Sequence, residues 1–414
     1  MINTETKKTR YLFLDNIKVL FTILVIFWHV AVTYMEAGWW YYKEVNPIDP
    51  ISNIIFLFFT SLAGVFQASL LGLFFLLGGY FTPKSYDRKG IWSFWKERLI
   101  RLGIPLFLYV LLINPIMIYA LAIIGIPPWN SLPMLQGTFI DYYLSRFISW
   151  GNFIDFISFG GPMWFLRVLL IFTAIYTLWR QITKLNLLKQ KIPKQLLIPK
   201  YLYLLLIAIG LGCLTFVVRI FLPIDDRPLE IPWGQLIQYL LMFSIGVISV
   251  RYLWFEKMTK KHVKMWLITI IIALVIIYID FMIAILTEVD LIDFTGGANY
   301  HSFLMSLVDN IICMGVIFIL IKVFYAKFNK QGTILRNLST SAYHMYLVHP
   351  PVLLVLSLSL ASLSLYPLVK MGIIFPSAVL ICYLISHYVL QKIKWNGRDK
   401  STHNQLNIVF NHTK

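Results

Sequence analysis

Apolar residues fall in blocks of about twenty along this chain, with short polar or basic connections between them, and a helix of that length crosses a hydrocarbon core of roughly 30 Å. The blocks lie at about residues 12–35, 52–82, 102–125, 160–180, 201–222, 233–250, 265–287, 301–325, 339–364 and 368–391. This pattern predicts an all-α, polytopic membrane protein with about ten transmembrane helices. The longest connection, Ile126 to Phe159, carries prolines, many aromatics and few charges, as expected of a loop lying against a membrane interface. Neither an inverted repeat nor a low-complexity tract divides the sequence. One transmembrane domain over residues 1–395 and a cytoplasmic tail over 396–414 are therefore expected.

Composition supports this picture. Of the 414 residues 59% are apolar and only 13% charged, with a mean hydropathy of +0.74, far from the roughly 25% charged residues of soluble domains. The net charge of +17 would suggest a nucleic-acid partner in a soluble protein, but its distribution gives a topology instead. Lysine and arginine crowd alternate connections ("KSYDRKGIWSFWKERLIR", "RQITKLNLLKQKIPKQLLIPK", "RYLWFEKMTKKHVK"), while those between are basic-poor or acidic ("PIDDRPLEIP", "TEVDLIDFTGG"). The positive-inside rule then places both termini in the cytoplasm, with an even number of spans and the cell membrane as the location. The first block is too long, and too interrupted by polar residues, for a cleaved leader. Cys213, Cys313 and Cys382 sit one to a block without paired spacing and read as small apolar core residues.

The first block, "LDNIKVLFTILVIFWHVAVTY", holds Asp15, Lys18 and His29. Ionisable groups inside a membrane are expensive and are kept there for a function or a partner. At 100° per residue, Lys18 and His29 lie about 20° apart around the helix, with Asp15 about 40° and Thr22 about 20° from His29. Thr33 follows one turn later. One polar stripe thus runs along an otherwise apolar helix and should face the protein interior, opposite a cavity or a hydrogen-bonded network. With the amino terminus inside, His29 lies toward the outer leaflet and Lys18 toward the cytoplasm. A histidine satisfied by a neighbouring carboxylate or carbonyl is the plainer reading of the same stripe.

At this point the sequence resembles the acyltransferase-3 family of integral membrane acyltransferases, which move acyl groups from cytoplasmic donors onto extracytoplasmic carbohydrates. The first-helix signature of that family, a basic residue, ten arbitrary residues and then histidine, is matched by "KVLFTILVIFWH" from Lys18 to His29. "LFFLLGGYFTPKS" is similar to its Phe-rich "SGYF" segment, with Gly78 where many members have serine. "FWKERLIRLGIP" supplies Arg98, Arg101 and Pro105 in its arginine-arginine-proline order. "GPMWFLRVLL" resembles the "WFL" element, with Arg167 in the region where other members carry glutamate, and "SAYHMYLVHP" resembles the late "Y..YL.H" element. The ordered set spans nearly the whole chain and lies nearest the branch that includes glucan-modifying succinyltransferases.

The resemblance implies an O-acyltransferase that uses acyl-CoA, with an acetyl or succinyl group, as donor substrate and a cell-envelope polysaccharide or glucan as acceptor. His29 would be the catalytic residue, as general base on the acceptor hydroxyl or as transient carrier of the acyl group. Arg98, Arg101 and Lys18 would clamp the donor phosphates, with Arg167, Tyr346 and His349 lining the substrate site and Asp15 orienting Lys18. Positive-inside anchoring alone also accounts for the two arginines. His344 lies about 140° around the helix from His349, so the two do not form a ligand pair. Pro350 and Pro351 should interrupt or kink their helix. Asp309 and Asn310 suit an interhelical hydrogen-bonding role. With no HExxH-like pattern, a metal is not implied, and no permanently bound cofactor is expected. The rival reading is a secondary transporter or flippase of a polar or acylated envelope metabolite, since transporters also line their pathways with intramembrane charge.

Overall fold

The structure, a computed structural model, describes residues 12–35, 40–44, 50–129, 137–148, 159–184 and 197–392. Among them there is no strand, so the chain is all-α as expected. The helices are α1 (Leu12–Met35), α2 (Pro50–Arg98), α3 (Ile104–Leu108), α4 (Asn114–Ile124), α5 (Phe139–Ile148), α6 (Trp164–Lys184), α7 (Tyr201–Phe221), α8 (Trp233–Tyr252), α9 (Trp254–Lys257), α10 (Lys260–Leu286), α11 (Tyr300–Lys327), α12 (Thr333–Ser359) and α13 (Pro367–Leu384).

Eight stretches among the described residues are long and apolar enough to cross a membrane, which makes this a multi-pass membrane protein. They differ from the ten apolar blocks at two places. The blocks at 52–82 and 102–125 meet in one 57-residue stretch, Ala68–Ile124, far longer than a single crossing needs. Gly90 breaks its helical path with φ 72°, a conformation glycine adopts without steric cost. The block at 339–364 lies in α12, whose apolar run is diluted by two histidines, two prolines and several serines.

The chain divides into two compact units, residues 1–83 with 189–383, and residues 84–188 with 384–414. In the first unit the amino-terminal end of α1 is tied down by the connection between α11 and α12. Asn16 donates from Nδ2 to the carbonyls of Phe328 (2.6 Å) and Lys330 (3.0 Å), and Gln331 donates to Asn16 Oδ1 at 2.7 Å. α2 and α8 cross at backbone contact. A Cβ at Gly79 would collide with the Phe243 carbonyl, and one at Gly246 with the Leu76 carbonyl. Gly79 is the second glycine of "GGYF", so that position has a packing reason for its glycine. α7 and α11 are joined by a buried ion pair, Arg219 Nη2 to Asp309 Oδ2 at 2.7 Å, to which Ser306 Oγ and the Gly234 carbonyl add hydrogen bonds. Asn310 donates to Thr215 at 3.1 Å, so the Asp309–Asn310 pair does bridge helices. Of the cysteines, Cys313 and Cys382 are buried as expected. Cys213 is exposed, because its position falls on the outer face of α7.

In the second unit, two π-helical segments, Leu99–Gly103 and Tyr109–Ile113, flank α3. Each is followed by a proline, Pro105 or Pro115, that lacks the N–H its i−4 carbonyl would accept, and a widened turn accommodates the loss. Pro115 frees the Leu111 carbonyl, which accepts from the Tyr143 hydroxyl of α5 at 2.9 Å. α5 lies within the 126–159 connection, and Asp141 and Thr138 cap its start reciprocally: the Thr138 N–H donates to Asp141 Oδ2 at 2.8 Å and the Asp141 N–H to Thr138 Oγ1 at 3.4 Å. Arg180 of α6 holds Asp87 at 2.7 Å.

Candidate active site

The polar stripe of α1 faces α12. Thr22 Oγ1 donates to the Ala342 carbonyl at 3.4 Å, and one and a half to two turns further His29 meets His349. The two imidazoles stack with centroids 5.2 Å apart and planes 14° from parallel. A third ring completes the group. Trp40, from the segment that follows α1, lies 4.0 Å from His29 at 18° and 6.1 Å from His349 at 15°. Tyr346 borders His349 at 5.6 Å.

His349 is fully buried, and the sequence around it fixes its proton. α12 continues through Pro350 and Pro351 without the expected interruption. Pro350 has no N–H to offer the Tyr346 carbonyl four residues back, and His349 Nδ1 takes that place at 2.6 Å. A ring nitrogen facing a carbonyl oxygen must carry the hydrogen, so Nδ1 donates, and in the neutral ring Nε2 then keeps its lone pair. Nε2 is buried without a hydrogen-bond partner among the described residues, as is Nδ1 of His29. His29 is only partly buried and is the more accessible of the two rings.

The segment bearing Trp40 is anchored at its far end. The Glu44 N–H donates to the Thr33 carbonyl at 2.9 Å, and Glu44 Oε1 pairs with Lys370 Nζ of α13 at 2.6 Å. Burial, with the neighbouring Glu44 carboxylate adding to it, pushes the Tyr42 phenol up to about 12, so Tyr42 meets Glu44 Oε2 as a neutral donor at 3.4 Å. None of Trp40, Glu44 and Lys370 belongs to a motif singled out in the sequence. The available signal was Lys370, a lysine inside the apolar run "LYPLVKMGIIF".

Lys18 lies on the same stripe and pairs with Asp15 at 2.5 Å, its ammonium 5.3 Å from the centre of the Phe81 ring. The other basic residues belong to the second unit. Arg98 ends α2, with its guanidinium 5.2 Å from the centre of the Phe94 ring. Arg101 lies in the first π-helical segment, exposed, with Nη1 3.3 Å from Glu97. The two are therefore separated by a widened turn instead of a regular α-helical one. Lys89 also pairs with Glu97. Arg167, in the first turn of α6, folds back so closely that a Cβ on Gly160 would lie 3.3 Å from Nη2.

Comparison with known proteins gives the arrangement a context. The family model described as "Acyltransferase domain" matches residues 11–387. "Glucans biosynthesis protein C" of Escherichia coli O6:K15:H31 (strain 536 / UPEC) is 26% identical over 168 residues, 40% of this chain and 38% of that protein. The proteins of the same name from Escherichia coli O1:K1 / APEC and O139:H28 (strain E24377A / ETEC) are 25% identical over 174 residues, again 40% of this chain and 38% of theirs. The chain thus matches well under half the length of these curated relatives. No solved structure matches it.

Proposed function

This chain belongs to the acyltransferase-3 family, and on that premise we propose that it transfers an acyl group, acetyl or succinyl, from cytoplasmic acyl-CoA to a hydroxyl of an extracytoplasmic carbohydrate. The relatives' name, which speaks of glucans, makes a glucan the first acceptor to test. The observation that carries the reading is the stacked His29–His349 pair, in which His29 Nδ1 and His349 Nε2 are buried with no hydrogen-bond partner among the described residues.

In this reading Arg98 and Arg101 bind donor phosphates and Lys18 stands at the cytoplasmic end of the α1 stripe. From Lys18 to His29 the helix rises roughly 16 Å, a distance that an extended phosphopantetheine arm spans. His29 accepts the proton of the acceptor hydroxyl as its oxygen attacks the thioester carbonyl. The tetrahedral intermediate expels the CoA sulfur, which takes the proton back from His29 and leaves as the thiol. His349, held in one tautomer, supports His29 from behind. Transient acylation of His29 itself is the alternative path, and it predicts an acylated His29 peptide when donor is present without acceptor.

The test is mass spectrometry of envelope and secreted glycans from cells carrying the wild type, His29→Ala or a deletion, at matched membrane levels. A mass increment seen only with wild type is the expected result. Identical glycans in all three would overturn the reading.

A further inference from the structure

Water is the natural competitor in any transfer from a thioester. A base placed to activate a sugar hydroxyl activates water as well, so the site must limit what reaches it. Trp40 is placed for that task. Its indole overlies His29 at 4.0 Å and is itself only 4% exposed, so it does not offer an open stacking face to a sugar. It acts as a cover.

The segment carrying this cover is fixed by contacts that packing alone does not require. The Glu44 N–H reaches the carbonyl of Thr33, one turn beyond His29 on α1, and the Glu44 carboxylate reaches Lys370 on α13. Lys370 is 2% exposed, and a lysine buried in an apolar helix is costly unless paired. The reaction just described has no use for it. The cost is met by an ion pair that ties residues 40–44 to α13, while the Glu44 N–H bond to Thr33 ties them to the helix that bears His29.

We propose that Trp40, held in place by the Glu44–Lys370 ion pair, is a positioning residue that shields His29 from water and thereby directs the acyl group to the carbohydrate hydroxyl instead of to hydrolysis. This inference rests on the acyl-transfer reading above, and its test has one arm that needs no turnover.

In the first arm, purified wild type, Trp40→Ala, Trp40→Phe and the double variant Glu44→Gln/Lys370→Met are treated with diethyl pyrocarbonate, and modification of the His29 peptide is followed by mass spectrometry. The double variant removes both charges together, so no buried charge is left unpaired. Labelling of His29 should speed up about tenfold in Trp40→Ala and several-fold in the double variant, with Trp40→Phe between wild type and Trp40→Ala. In the second arm, acetyl-CoA and succinyl-CoA are supplied with or without a glucan oligosaccharide, and the ratio of thioester hydrolysis to transfer is measured. That ratio should rise about tenfold in Trp40→Ala, whereas a residue needed only for packing would lower both rates together. Unchanged His29 labelling in Trp40→Ala and in the double variant overturns the proposal. If wild type consumes no thioester under any condition, the acyl-transfer reading fails, while the labelling arm still decides whether Trp40 covers His29. Should Trp40→Ala fail to fold, Trp40→Phe and the double variant carry both arms.

Discussion

Pro350 shows how one residue can act through what it lacks. With no amide hydrogen, it leaves the Tyr346 carbonyl open to His349 Nδ1, and this contact decides which nitrogen of the buried ring is free. Replacing Pro350 with alanine returns an N–H to the helix and puts it in competition for that carbonyl. The helix should become more stable, because an interior proline costs up to about 3 kcal/mol. Turnover should nevertheless fall roughly 10- to 100-fold, a penalty of the size found when a metal-bound histidine loses its orienting partner. Thermal unfolding in detergent together with kcat for acyl transfer checks both halves, and a variant that is more stable and equally active would show that the tautomer does not matter. The residue types at this position were legible in "YLVHPP". Their division of labour was not, because it depends on which carbonyl a side chain reaches.

Between elements, two devices join the helices of the first unit. Small residues let backbones touch where α2 crosses α8, and buried charge links α7 to α11. Arg219 is fully buried, so removing only one member of the Arg219–Asp309 pair leaves an uncompensated charge. Arg219→Met and Asp309→Leu should each cost about 3–5 kcal/mol, whereas the double variant should lie within about 1 kcal/mol of wild type or above it. Unfolding of the four proteins in one detergent measures this as a double-mutant cycle. Additive losses would mean that the pair is not coupled. An interhelical role for Asp309 was readable from its place in an apolar block. Its partner was not, since Arg219 lies 90 positions away in sequence and only the packing of α7 on α11 brings them together.

At the scale of the whole molecule, hydropathy and charge carry most of the information. The alternation of basic and basic-poor connections argues for both termini in the cytoplasm. Reporter fusions at either end that are active only in the cytoplasm should both report activity, and a signal from only one end would give an odd number of crossings. The sequence by itself determined the all-α membrane character, the approximate positions of the crossings, the polar face of α1 and the pattern of the acyltransferase family, because each depends on local composition or on spacing within one helix. The sequence counts the block at 339–364 as a crossing, whereas α12 is not among the eight stretches apolar enough to cross, since the histidines and prolines that equip that helix for a site also lower its hydropathy. Only the tertiary structure decided that the α1 stripe faces His349, that Trp40 covers His29, and that Lys370 is spent on Glu44. These contacts join residues as many as 326 positions apart, and helical periodicity within single segments does not encode which faces will meet.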